Sequence, residues 1–341
     1  MVTKVKAGSN KTETYPKKPS GDKNGPGKPS ESKSELVPFI DKISITLNPH
    51  PVVAKAIKAA VKKAIGDQTV FEANKHYSKE QDHAKRYYKI SRHIACQNSS
   101  QRVFFQCEPN GESKAFCRFE FNPEKLGSKA LGELHKILKP IFPDGFNYVI
   151  QCGRVSKIDI AIDLPNLHMD AFLVLPELAT SSIHYRRNGR LETLYIGKPR
   201  GTHLTIYDKH KEQLAKKHKP SDCAMVRVEK TLVGPSPEML KDIADLPNPF
   251  AKLRLTYPMS KLTVPPAGTK INYWTMFGDC VRRRGLDPAL ALLPDDRRIK
   301  YRKHFTANTL PIWEPAAIWA NWGTMLNKLG LIDQSALPYC L

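Results

Sequence analysis

Lys157-Ile158-Asp159-Ile160-Ala161-Ile162-Asp163 is the stretch from which the fold is read. Side chains alternate across a β-strand. Ile158, Ile160 and Ile162 therefore face a core, and Asp159, Ala161 and Asp163 face the other way. Two carboxylates on one strand face, with a small residue between, leave room for a hard cation. Two further segments repeat the pattern. Arg118 and Glu120 share a face opposite Phe119 and Phe121, and Arg227 and Glu229 share a face opposite Val226 and Val228. Each Arg/Glu pair also reads as a plain same-face ion pair. Acids are disfavoured in strands, and three acid-bearing strands in one sheet point to a carboxylate cluster for Mg2+ or Mn2+.

Outward from this strand the pattern mixes strands and helices. Ile43, Ile45 and Leu47 alternate with Ser44 and Thr46, a half-buried strand. Residues 51–66 predict an amphipathic helix opened by proline and closed by Gly66. Residues 103–106 and 115–122 predict a strand pair around Pro109-Asn110-Gly111, followed by a helix over 123–139. A strand follows over 155–164, then a hairpin of 193–197 with 202–209, then a strand over 224–232. Beyond residue 236 the pattern turns helical and loop-rich. Hairpins among irregular helices predict an α+β fold: an antiparallel sheet with helices packed on one face, plus a smaller, mostly helical C-terminal region. Val233-Gly234-Pro235-Ser236-Pro237 marks the boundary, giving domains of 36–235 and 236–341. Residues 1–35, rich in Lys, Ser, Gly and Pro, read as a disordered basic tail.

The 341 residues carry 54 Lys and Arg against 33 Asp and Glu, a net charge of +21. The tail does not account for this, because residues 36–341 keep 46 basic and 29 acidic side chains. Such an excess favours a polyanionic partner, nucleic acid above all. Basic clusters at Arg282-Arg283-Arg284 and at 297–304, which contains Arg298, fit duplex binding as well as they fit a solvated helix face. No apolar run approaches the ~20 residues of a membrane helix, so a membrane protein is not expected. The first residues lack a signal-peptide core, and the seven cysteines are dispersed without tight pairing. Both observations predict reduced thiols in a cytoplasm. Trp313, Trp319 and Trp322 read as core.

The hairpin brings tyrosines to the face of the acids. Leu194 and Ile196 face the core, so Tyr195 shares its face with Thr193; Leu204 and Ile206 likewise put Tyr207 with His203 and Thr205. A turn near Pro199-Arg200 sets Tyr195 opposite residues 203–205, beside His203. Lys198, Arg200 and Lys209 surround the site with positive charge, as a phosphate requires. A phenol with a pKa near 10 is a weak nucleophile. A neighbouring base, cation or metal ion is needed to favour the phenolate.

Thr193-Leu194-Tyr195-Ile196-Gly197 followed by Tyr207-Asp208-Lys209 resembles the "T-x-Y-x-G-S … Y-[DE]-K" block of a group of rolling-circle replication initiators. The group includes initiators of staphylococcal-type plasmids, replication initiation factors of filamentous phages and relaxases of some conjugative elements. Ile158 to Asp163 resembles its "R-x-D-x-A-x-D" block, Arg227-Val228-Glu229 its "R-x-E" strand, and Phe119-Glu120-Phe121-Asn122-Pro123 its "x-E-F-N-P" segment. The likeness spans about residues 40–235 in the family's motif order; the usual serine after Gly197 is replaced by Lys198. The resemblance implies a divalent-metal-dependent tyrosine that nicks one DNA strand and stays joined to the 5′ phosphate. On this reading Tyr195 is the nucleophile and Tyr207 the second candidate. Asp159, Asp163, Glu229 and Glu120 are the metal acids. His203 or a carboxylate takes the proton, and Arg118, Lys198, Arg200, Lys209 and Arg227 hold phosphates. The partners are an origin hairpin and the single strand at the nick, a helicase of host or element, and a second copy of the chain. The eleven histidines include no pair two residues apart, which disfavours a two-histidine metal site. The alternatives are a non-catalytic origin binder or repressor on the same fold, and a conjugative relaxase using the same chemistry. An RNA-binding sheet would present aromatics where this one presents acids.

Overall fold

Ile158, Ile160, Ile162 and Leu164 are fully buried, as their alternation demands. Each contributes about 2 kcal/mol by leaving water, and together they anchor the middle of a nine-stranded sheet. The computed structural model describes residues 36–72, 87–111, 114–176, 182–187, 190–198, 200–216 and 222–331. The tail expected over 1–35 lies outside the described residues.

Along the chain run β1 (Phe39–Leu47), α1 (Pro51–Gly66), β2 (Tyr88–Ala95), β3 (Arg102–Pro109), β4 (Cys117–Phe121), α2 (Pro123–Leu126), α3 (Ser128–Leu138) and α4 (Phe146–Cys152). Next come β5 (Arg154–Pro165), β6 (Leu173–Leu175), β7 (Ser182–Arg187), β8 (Arg190–Gly197), β9 (His203–Asp208), α5 (Lys209–Ala215) and β10 (Met225–Val233). A 3-10 helix (Leu240–Asp245) and β11 (Arg254–Thr256) precede α6 (Ile271–Arg284), α7 (Leu286–Ala291), α8 (Asp295–Ala307), α9 (Pro315–Trp319) and α10 (Trp322–Leu329). The sheet order is β2-β3-β4-β1-β5-β10-β9-β8-β7, antiparallel throughout, and β6 pairs with β11 separately.

The protein is thus α+β, with its helices against the apolar face of the sheet. Ile57, Val61 and Ala64 of α1 and Ala130, Leu131, Leu134 and Leu138 of α3 join the strand residues in the main core. The helix expected over 123–139 is two helices, because Gly127 at φ +80° leaves the helical region between them. Strands β2 and β7 were not anticipated. Residues 240–255 and 310–331 pack into the main core, Trp322 donating its indole N–H to Ile243 O at 3.0 Å. Trp274, Phe277, Leu286, Leu290, Tyr301 and Phe305, from α6, α7 and α8, form a second core.

One irregularity positions the site. In β1 the register with β5 shifts between Ile40 and Lys42, a β-bulge that puts one residue too many on β1. Lys42 already faces away from the core. Asp41, which plain alternation would turn inward, also faces the polar side.

Candidate active site

Three cross-strand rows cross the polar face. The first runs Asp163–Arg227–Tyr207–Thr193, the second Phe39–Ala161–Glu229–Thr205–Tyr195, and the third Lys42–Asp159–Thr231–His203–Gly197. Tyr195 and Glu229 therefore share a row with Thr205 between them, two strand spacings or about 10 Å apart. His203 stands diagonally beside Tyr195, on the same face.

Tyr195 is 37% exposed. His203 is fixed by its own turn, its Nδ1 lying 2.8 Å from Gly201 O. A carbonyl only accepts, so Nδ1 carries the proton of the neutral ring and Nε2 is left as the basic nitrogen. Lys198 and Arg200 are exposed in the same turn. Gly197 has φ +111°, and a Cβ there would stand 2.9 Å from Thr202 O and against His203. The glycine of the motif is thus the residue that lets the two strands close behind the tyrosine.

Tyr207 sits differently. Its hydroxyl donates to Glu229 Oε2 at 3.3 Å, and Lys209 lies over its ring. Burial, then the charge of Glu229, pushes its phenol far above the ordinary value, outweighing the pull of Arg227. Such a phenol stays protonated and acts as a donor. Lys209 is itself paired with Glu212 Oε2 at 2.6 Å.

The acids divide into three settings. Asp159 is 5% exposed, accepts from Thr231 Oγ1 at 2.6 Å and pairs with Lys157 Nζ at 3.1 Å. Glu229 is pushed up to about 7 by burial and by the charges of Asp41 and Asp159, although Arg227 and the Tyr207 hydroxyl pull it down. Asp163 is four residues along β5 from Asp159, about 13 Å of strand rise, and both its oxygens are held by Arg227 at 2.6 and 2.7 Å. The expectation that Asp159 and Asp163 grip one ion therefore fails on strand geometry. Glu120 is also displaced from the group. It lies on β4, two strands from β5, bound to Arg118 and to Lys42 Nζ. Despite burial, those two cations hold its carboxyl below the usual range.

The expected phosphate contacts change accordingly. Arg118 donates to Ser44 Oγ at 2.8 Å and Gln106 Oε1 at 2.9 Å within the sheet. Arg227 is 7% exposed and held by carboxylates. Arg298 pairs with Asp295 on α8, whereas Arg283 is exposed on α6. Asp41 was missed altogether. Its signal was the spacing of three from Ile40 to Ile43, where an unbroken strand would give two.

Among the described residues, no three His, Cys, Asp or Glu side chains are gathered as a metal-holding group. The donor chemistry still suits a hard divalent cation. Asp159 and Glu229 come from adjacent strands beside the small Ala161, a pair of carboxylates, and the charges of Asp159 and Asp41 crowd the carboxyl of Glu229.

No family model matches the chain, and no curated protein does. Among solved structures, a rolling circle replication initiator protein from Geobacillus stearothermophilus is similar at 12% sequence identity and a TM-score of 0.33, over 74% of this chain and 99% of that one. A likeness at this level carries no argument about activity. No helix among the described residues is long and apolar enough to cross a membrane.

Proposed function

We propose that the protein initiates rolling-circle replication by opening one DNA strand with Tyr195. The observation that carries this is the placement of Tyr195: an exposed phenol, on one face with its diagonal neighbour His203 and in one row with Glu229, a carboxylate that pairs with no cation among the described residues. The motif order along residues 40–235 supports the same reading.

In this mechanism the scissile phosphate is single-stranded and lies against the hairpin turn, where Lys198 and Arg200 meet its charge. The Tyr195 oxygen bonds to phosphorus as the bond from phosphorus to the 3′ oxygen breaks. The phenol proton passes to His203 Nε2, and the departing 3′ oxygen takes a proton from water. The product is a 5′-phosphotyrosyl link and a free 3′-hydroxyl. Asp159 and Glu229, with Asp41 beside them, would hold a Mg2+ or Mn2+ ion. Such an ion, when bound, supplies charge stabilisation at the phosphoryl oxygens. Tyr207 donates to Glu229 and does not attack. Residues 36–235 carry this chemistry, and the basic helices of 236–341 hold the duplex of the origin.

Mass spectrometry of the protein after incubation with a single-stranded origin oligonucleotide and Mn2+ tests the proposal. The expected adduct sits on Tyr195 and disappears in Tyr195→Phe. An adduct on Tyr207 would move the nucleophile to the next strand. Origin binding with no adduct and no relaxation of a supercoiled origin plasmid would make the protein a non-catalytic origin binder.

A further inference from the structure

We propose that Asp41 is a positioning residue that holds the Arg227 guanidinium away from Glu229. The inference rests on the proposed cation role of Glu229. Arg227 and Glu229 stand two residues apart on one face of β10, where an arginine and a glutamate ordinarily pair. Here the guanidinium is routed elsewhere. Nε and one terminal nitrogen bind the two oxygens of Asp163 at 2.6 and 2.7 Å, and the other terminal nitrogen binds Asp41 Oδ1 at 2.8 Å. The ring of Phe39 lies 4.9 Å from the guanidinium carbon and fixes its plane. Asp163 alone satisfies only one edge of the fork. The second edge would be left with donors and no carboxylate, in a side chain that is 7% exposed, and Glu229 is the acid in the adjoining row.

Asp41 reaches this edge only because of the bulge in β1. Bulges re-aim side chains beside functional sites, and here the residue re-aimed is the one that completes the fork. The surroundings of Asp41 suit this role. Asn122 Nδ2 donates to the same oxygen at 3.4 Å, and the carboxylate remains partly open to water. The negative charge of Asp41 also bears on Glu229, against the pull of Arg227.

The consequence is a loss of cation affinity without the loss of a cation ligand. When Asp41 is replaced by Asn, the freed edge of Arg227 turns to Glu229 and neutralises it. Free Mn2+ measured by electron paramagnetic resonance, on the full chain without DNA, reads this directly. Asp41→Asn is expected to weaken Mn2+ binding about tenfold, the scale of losses when a partner of a metal ligand is removed. In an Arg227→Gln background most of that loss should vanish, because no guanidinium remains to be misdirected. Asp41→Glu, which keeps the acceptor, should bind within about twofold of the parent, and it remains informative if the Asn variant does not fold. Mn2+ affinity unchanged in Asp41→Asn overturns the inference, as does Asp41→Glu losing as much as the Asn variant was expected to lose. An equal loss with and without Arg227 overturns it too, in favour of Asp41 as a direct ligand. A parent protein that binds no Mn2+ at all would overturn the cation role of Glu229 and this inference with it, an outcome distinct from the other three.

Discussion

Tyr195 and Tyr207 carry the same phenol in two environments, and the difference lies in what surrounds them. Tyr207 is pressed against Glu229 and Arg227, and Tyr195 looks outward from the next strand but one beyond Glu229. Both were legible as residues off the aliphatic face, because alternation fixes a face. Their ranking came from the motif resemblance and not from alternation, because burial depends on the neighbouring strands. Glu229 carries a measurable consequence. Its folded value of about 7 exceeds the ordinary 4.5. The folded protein therefore binds more protons than the unfolded chain between those limits. The contribution to stability is complete below the ordinary value and is lost as pH rises through about 7. In chelator, the parent should lose roughly 2–3 kcal/mol relative to Glu229→Gln between pH 4 and pH 8. Urea melts of both proteins across that range check it; parallel stability curves would mean that Glu229 is solvated like any surface glutamate.

The β8–β9 hairpin is the element that turns a motif into a geometry. Its glycines differ in what they must allow. Gly197 needs its positive φ and has a carbonyl against the place of a side chain, whereas a Cβ on Gly201 would meet only Lys198, its Cβ at 3.4 Å and its carbonyl oxygen at 3.9 Å, both ordinary contacts. Gly197→Ala should therefore cost about 1–3 kcal/mol in thermal melts and displace both Tyr195 and His203. Gly201→Ala should melt within about 0.5 kcal/mol of the parent and keep the adduct yield, because the carbonyl that holds His203 is unchanged. Equal effects of the two substitutions would show that the hairpin is not tight at Gly197. This element was well marked in the sequence, since period-two apolar residues flanked an obvious turn. The bulge of β1 was not, because a single extra residue alters only one spacing, from Ile40 to Ile43. Strand β2, Tyr-Lys-Ile-Ser-Arg-His-Ile-Ala, hid for a related reason: its apolar alternation of Tyr88, Ile90 and Ile94 is interrupted by Arg92, and Ser91 on the other face is buried against Gln106. The single helix expected over 123–139 failed at Gly127, whose φ only the structure reveals.

At the scale of the whole molecule the charge and the chemistry occupy different places. The polar face of the sheet holds Asp41, Asp159, Asp163, Glu120 and Glu229 against Arg118, Lys42, Lys157 and Arg227, so it is not itself a strongly basic surface. The excess behind the net +21 must act elsewhere, and α8 is one such place: Arg297 and Lys303 are exposed there, while Tyr301 and Phe305 of the same helix are buried in the second core. The core residues fix the helix, and the basic ones are available to phosphates. A duplex held in this way is bound through counterion release, so each lost phosphate contact reduces the slope of log affinity against log salt by about 1. Arg297→Ala with Lys303→Ala should therefore weaken origin-duplex binding and lower that slope by roughly 2. The adduct formed by Tyr195 on a short single-stranded oligonucleotide should be unaffected, because that substrate needs only the sheet and the hairpin turn. Titration of labelled duplex at several salt concentrations, run beside the adduct assay, separates the two. A double variant that binds duplex with the parent's slope would remove α8 from the interface, and one that loses the adduct as well would place duplex grip and strand opening on one continuous surface.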